Sequence, residues 1–238
     1  MAKLIRTRNG FGNELLDRLS RKESGRLEKH LRQVALTRGQ VLYGEGDRVD
    51  YVYFPDDCLI SLIAMTEDAQ TLEVGVTGMK GAMGLPAIFR TGVMPYRSIV
   101  QIPGTSWRIK AKILREEFDR GLKLHDLLLR YFHTLLTQVT QSAVCHRFHK
   151  ILPRMSRWLL DCQYHTGKDT LNLTHEVLAG MLGTSRALIT TTASQLQRAG
   201  TISRRQGSVT ILDRKLLESF SCECHKIVRR DFANSLGV

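Results

Sequence analysis

Residues 173–212 read LTHEVLAGMLGTSRALITTTASQLQRAGTISRRQGSVTIL. This stretch decides the fold, because its order is helix, glycine turn, helix, glycine hinge and β-hairpin. Thr174 stands where a helix N-cap belongs, and Leu178, Ala179 and Leu182 form the inner side of that helix. Gly183-Thr184 breaks it, and Ser185 caps the next. On the second helix Ile189, Ala193 and Leu196 fall at offsets 0, 4 and 7, an amphipathic stripe that can pack on the first. At about 100° per residue, Arg186, Ala187, Thr190, Thr191 and Ser194 occupy a different arc, small and polar and led by an arginine. Gly200 ends the helix, and Thr201–Arg205 and Val209–Leu212 alternate around Gln206-Gly207 as a two-stranded wing. The layout is that of a winged helix-turn-helix, and the polar arc suits a helix entering the major groove.

The rest of the chain falls into two further blocks. Asn13–Arg32 reads as helical, and Val34–Ile109 as short β-runs cut by Gly and Pro: Val41–Tyr43, Tyr51–Phe54, Leu59–Met65, Thr71–Val76, Ser98–Ile102 and Ser106–Ile109. Such even spacing predicts a sandwich or barrel-like roll. A short helix follows around Lys112–Arg120, then a long one from Leu122 to about His149, free of Pro and internal Gly. Leu128, Phe132, Leu135, Val139, Ser142 and His146 alternate by four and three, so the long helix is expected to dimerise through Leu128, Phe132, Leu135 and Val139. Pro153 marks the break before the helix Met155–Tyr164. The expected architecture is α+β: a β-roll domain over 1–121, a dimerisation helix over 122–149 and a DNA-binding domain over 150–238.

Composition narrows the partners. The chain has 238 residues, 42% hydrophobic and 24% charged, as in a folded domain rather than a disordered one. A net charge of +12 points to an anionic partner, nucleic acid or an acidic membrane surface. With no long amphipathic Lys/Arg helix, double-stranded DNA is the expected one. No apolar run approaches the roughly 18 residues needed to span a bilayer. Met1–Arg8 is basic but lacks the apolar stretch of a secretion signal. Five irregularly spaced cysteines argue against a disulfide framework, and a cytoplasmic, membrane-free location is expected.

A β-roll, a long helix and a C-terminal winged helix-turn-helix in this order resemble the Crp–Fnr family of bacterial transcription factors, the cyclic-AMP receptor protein and fumarate–nitrate regulator type. The resemblance rests mainly on Thr174, Leu182-Gly183, Ser185-Arg186, Leu196 and Gly200–Ile202, and on Gly39–Asp47 as the early hairpin. It implies a cyclic-nucleotide-binding-like β-roll and a homodimer that binds a palindromic promoter site and meets RNA polymerase. Where the family's recognition helix often begins Ser-Arg-Glu and carries a later arginine, this chain keeps Ser185 and Arg186 but has Ala187 and Thr191. Arg186 can contact guanine in bidentate fashion, while Ala187, Thr190 and Thr191 suit thymine methyls or hydroxyl contacts. Ser185, Arg204, Arg205 and Ser208 are expected on phosphates, where they set register rather than sequence.

The same resemblance frames the effector. Cyclic-nucleotide-binding members hold the ribose with a Gly-Glu pair and the phosphate with an Arg-Ser pair. Here Gly84 is followed by Leu85, and Arg97-Ser98 stands about two residues beyond the usual spacing. A cyclic nucleotide is therefore not expected, and the β-domain either senses something else or supports the dimer. Met79, Met83, Leu85, Ile88 and Phe89 suit an apolar effector or a filled core. The family's N-terminal iron–sulfur cysteines are absent, Cys58 being the first cysteine. Cys222-Glu223-Cys224-His225 is the one dense ligand group, open to zinc or thiol redox sensing or to plain packing, and Cys145, His146 and His149 are similarly ambiguous. No feature points to haem. A cupin-like barrel enzyme would need clustered His and Glu ligands, but His30 is the only histidine before His125, so no catalytic residues are expected.

Overall fold

A computed structural model describes residues 10–237; the basic segment Met1–Arg8 lies outside them. Two short helices, α1 (Glu14–Asp17) and α2 (Arg21–Glu28), open the described chain. Asn13 caps α1 by accepting from the Leu15 and Leu16 amides, and Ser20 caps α2 by accepting from Glu23. The expected single helix is thus broken at Arg18–Ser20, and its end is already strand. The strands β1 (Arg32–Leu36), β2 (Val41–Tyr43), β3 (Tyr51–Pro55), β4 (Leu59–Met65), β5 (Thr71–Thr77), β6 (Arg97–Ile102) and β7 (Gly104–Lys110) follow, with one 3₁₀ turn at Leu85–Ala87. They form two sheets, ordered β1-β7-β3 and β2-β6-β4-β5. Inward residues such as Val52, Phe54, Leu59, Ile60, Val100 and Ile109 are almost wholly buried, as expected for a roll closed on its own core.

Helix α3 (Ala111–Phe118) leads to α4 (Lys123–Phe148), α5 (Ile151–Thr166), the short strand β8 (Thr170–Leu171), α6 (His175–Met181) and α7 (Arg186–Arg198). Strands β9 (Ile202–Arg205) and β10 (Ser208–Ile211) make the wing, and α8 (Arg214–Phe220) and α9 (Glu223–Leu236) complete the chain. Pro153 does not precede α5 but lies within its first turn, where a missing amide costs no helical hydrogen bond.

Packing divides the chain into two compact units. Among the described residues, one comprises 10–60 and 77–133, the other 61–76 and 134–237. Consecutive sequence blocks do not reveal this division, since the turn of β4 and β5 belongs with the C-terminal elements. Within that second unit, the Ser61 hydroxyl and the Trp158 indole N–H both donate to the buried Glu73 carboxylate. The Gln138 side-chain oxygen accepts from the Val76 amide at 2.8 Å.

Candidate nucleic-acid interface

The helix-turn-helix is assembled by local chemistry. Thr174 Oγ1 accepts from the Val177 amide at 3.3 Å and Ser185 Oγ from the Leu188 amide at 3.2 Å, so each hydroxyl satisfies an otherwise orphaned donor. Helix α6 ends with Thr184 N–H bonded to Ala179 C=O and Gly183 N–H to Gly180 C=O. Helix α7 repeats the device: Thr201 bonds Leu196, and Gly200 bonds Gln197. Gly183 and Gly200 both take positive φ, 55° and 77°, which explains glycine at each stop. A Cβ on Gly183 would also lie 2.9 Å from Leu72 of β5.

Ile189, Ala193 and Leu196 are fully buried, while Arg186, Ala187, Thr190 and Thr191 face solvent and Ser194 is half-buried. Arg186 pairs with Glu176 at 2.8 Å, both side chains well exposed. The hydroxyls of Thr190 and Thr191 donate back to the carbonyls of Arg186 and Ala187, at 3.0 and 3.2 Å. Each hydroxyl thus commits its one hydrogen to its own helix and keeps only acceptor capacity. His175 Nδ1 lies 2.9 Å from Thr190 Oγ1, and its pKa is lowered, first by burial and then by Arg204 and Arg186.

The wing has three strands rather than two. In the order β8-β10-β9, Thr170-Leu171 pairs with Thr210 and Val209, a strand too short to leave a periodic signal in sequence. Arg205 and Ser208 face each other beside the Gln206-Gly207 turn, Arg205 exposed and Ser208 half-buried. Arg204, expected on a phosphate, is engaged within the chain. Its Nε donates to Gln197 at 2.8 Å and its Nη2 to Ser194 Oγ at 3.1 Å, so it braces wing to α7.

Helix α4 divides the expected seam residues between the interior and the surface. Leu128 and Leu135 are buried within their own chain, 0% and 6% exposed, Leu135 lying against Gly75. Phe132 and Val139 are partly exposed, and the solvent-facing apolar residues are Leu129, Phe132, Leu136, Val144 and Phe148. Ser142 and His146 also turn inward. Arg154 of α5 donates to His146 Nδ1 and to the Leu182 carbonyl, and His146 Nε2 donates to the Glu73 carbonyl at 3.2 Å. Burial, with Arg154 second, lowers the His146 pKa to about 4 and keeps the ring a neutral strut.

The residues of the resembled nucleotide cassette are distributed differently from the polar arc of α7. Gly84 (φ 106°) caps the 3₁₀ turn, and a Cβ there would meet the Tyr51 carbonyl at 2.8 Å. Leu85 is 3% exposed, Met83 and Ile88 are buried with it, and Arg97 is half-exposed at the start of β6. Ser98 is fully buried, its Oγ without a hydrogen-bond partner among the described residues. A basic cleft of about 420 Å³ in the same unit is lined by Arg48, Tyr51, Lys110, Lys112 and Arg115, but by neither Arg97 nor Ser98.

One group of potential metal ligands comes together among the described residues: Cys145, His149, Cys222 and Cys224, whose ligand atoms all lie within 4.8 Å of one another. His225 is not among them, because its Nδ1 lies 3.2 Å from Asp161 Oδ1. The Cys145 thiol is lowered to about 5, chiefly by its hydrogen bond with Cys222, whose own pKa is raised by the same bond. Cys145 and His149 share a face at i, i+4 spacing, the one signal from which sequence could have proposed them as a pair.

No helix among the described residues is long and apolar enough to cross a membrane. Residues 153–220 match the Crp-like helix-turn-helix domain. No curated protein matches the chain significantly. Among solved structures, FixK2 from Bradyrhizobium japonicum is 13% identical with a TM-score of 0.69, covering 81% of this chain and 98% of its own. CLP, the c-di-GMP-responsive global regulator of Xanthomonas campestris, is 18% identical with a TM-score of 0.63 (82% and 100%). A CRP-family transcriptional regulator of Thermus thermophilus is 16% identical with a TM-score of 0.62 (80% and 96%).

Proposed function

We propose, from the premise that the chain carries a Crp-like helix-turn-helix on the fold of Crp–Fnr regulators, that it is a sequence-specific DNA-binding transcription regulator acting as a homodimer on a palindromic promoter site. The observation that carries this reading is the division of α7: its apolar stripe is buried, while Arg186, Ala187, Thr190 and Thr191 are exposed beside an arginine-bearing wing. Arg186 reads guanine once it leaves the solvent-exposed Glu176, a partner of little hold. The methyls of Thr190, Thr191 and Ala187 read thymine. Ser185, Arg205 and Ser208 meet phosphates, with Thr174 at the neighbouring helix start, and Arg204 holds the wing in place for them.

The dimer forms along α4 through Leu129, Phe132, Leu136, Val139 and Ala143. This seam keeps two expected residues, Phe132 and Val139, and moves the other row by one position. Its spacing is that of a two-stranded coiled coil, and a second copy would cover Leu129, Phe132 and Leu136, three of the apolar residues α4 exposes. RNA polymerase is the further partner and the cytoplasm the location. The chain works as a regulator rather than an enzyme. Its effector, where it has one, is not a cyclic nucleotide, since Leu85 replaces the ribose carboxylate and Ser98 is sealed in the core.

Binding titrations at several salt concentrations, comparing a promoter-derived duplex with random duplex, test the reading. A site-selective complex whose affinity falls log-linearly with salt is expected. Equal affinity for both duplexes overturns it.

A further inference from the structure

The thiol cluster does not resemble ordinary core packing. Cys145 and Cys224 are fully buried and Cys222 nearly so, yet polar groups converge on their sulfurs. Gln141 Nε2 points at Cys224 Sγ from 3.2 Å, and His149 Nδ1 lies 3.5 Å from the same sulfur. Cys145 Sγ and Cys222 Sγ are 3.5 Å apart, far beyond a disulfide bond of about 2.05 Å. A tetrahedral ion with Zn–S near 2.3 Å and Zn–N near 2.05 Å has S···S edges of about 3.8 Å and S···N edges of about 3.6 Å. The two separations therefore already approach the edges of such a tetrahedron. The spread of all four atoms, within 4.8 Å, suits one ion rather than a multi-iron cluster.

We propose that Cys145, His149, Cys222 and Cys224 form a closed, structural zinc site that fastens the start of α9 to the end of α4. Three thiolates and one imidazole make a standard donor set for structural zinc, which needs no open position. His149 binds through Nδ1, and its Nε2–H donates to Glu223 Oε1, 3.2 Å away. That carboxylate fixes the tautomer and orients the ring, as outer partners of zinc-bound histidines do. Three thiolates on a dication leave one net negative charge, and the buried Arg157 guanidinium, which is paired with Asp161 at 3.3 Å, also interacts electrostatically with all three cysteines. Each bound thiol releases its proton to solvent as the ion enters. The site joins residues 77 positions apart in sequence, so the ion cross-links two distant parts of the chain.

The test uses full-length protein purified anaerobically with added zinc chloride. Mass spectrometry of the metal should give about one zinc per chain after desalting. Replacement by cobalt(II) should produce the intense visible bands of tetrahedral coordination together with sulfur-to-cobalt charge transfer. Glu223→Gln, which leaves all four ligands in place, should weaken zinc binding about 10–100-fold with an unchanged circular dichroism spectrum. Cys224→Ser should lower the stoichiometry, and the wild-type cobalt spectrum decides the matter even where that variant fails to fold. Metal-free protein with a six-coordinate cobalt spectrum overturns the proposal, as does a Cys145–Cys222 disulfide in the anaerobic preparation or bound iron that zinc does not displace. None of these readouts involves DNA, so the site and the regulator reading stand or fall separately.

Discussion

The outer arc of α7 and the Gly84–Ser98 stretch of the β-domain were both singled out by their resemblance to functional motifs, yet the chain treats them in opposite ways. On α7 the polar residues stand in solvent and their hydroxyls are occupied only by their own helix and its neighbour. In the β-domain Ser98 is sealed inside without a partner among the described residues, and Leu85 fills the place of a ligand carboxylate. The first arrangement leaves a polar arc open to solvent. The second is a finished core. The same kind of sequence likeness thus ends in an exposed polar arc in one region and in close packing in the other.

The contrast can be broken at its strongest point by removing the second copy. Leu136→Glu places a charge in the proposed seam and should yield monomers on sedimentation, with specific affinity falling roughly 10²–10⁴-fold as the linked half-sites separate. A dimer surviving that change would move the interface off α4. Next in size, Arg186→Ala should cost about 1–3 kcal/mol per half-site and relax preference at a single base position, measurable by competition among substituted duplexes. A uniform loss across all sequences would make Arg186 a phosphate contact instead.

A third effect reads the bracing behind the interface. Burial raises the Glu73 pKa from 4.5 to about 7 against the opposing pull of Ser61, Trp158 and Arg157, and the nearby Asp161 adds to the rise. The folded state holds this proton more tightly than the unfolded chain does. Stability from this group is therefore full below pH 4.5, declines as pH rises toward 7, and stays lost above it. Glu73→Gln should flatten that slope in denaturant titrations and gain at most about 3 kcal/mol at pH 8. An unchanged slope would show that Glu73 is not buried as described. The smallest change belongs to the finished core: Ser98→Ala should alter stability by no more than about 1 kcal/mol and leave DNA binding intact. A loss of regulated binding in that variant would return an effector to this pocket.

How much of this was legible in sequence depended on how local the cause was. Thr174, Gly183, Ser185 and Gly200 act within one turn of themselves, so caps, stops and the buried stripe of α7 could be read directly. The β-runs were legible for the same reason, whereas β8 was too short to carry a period. On α4 two adjacent leucine rows, Leu128 with Leu135 and Leu129 with Leu136, offer equivalent heptads. Only the packing of Leu135 against Gly75 decides which row faces inward. Arg204 looked free because its partners, Ser194 and Gln197, lie on another element. The cysteines and histidines stand in two separate groups in sequence, and only folding brings Cys145, Cys222 and Cys224 together, with His149 rather than His225 beside them.

The most direct measurement of the central claim is selection of binding sites from random duplex DNA by the full-length protein. Enriched sites should be two-fold symmetric, with half-sites centred about 10 base pairs or a multiple apart and a guanine in each half that Arg186→Ala no longer selects. Enrichment of unsymmetrical sites, or none at all, would contradict a dimer reading DNA through paired α7 helices.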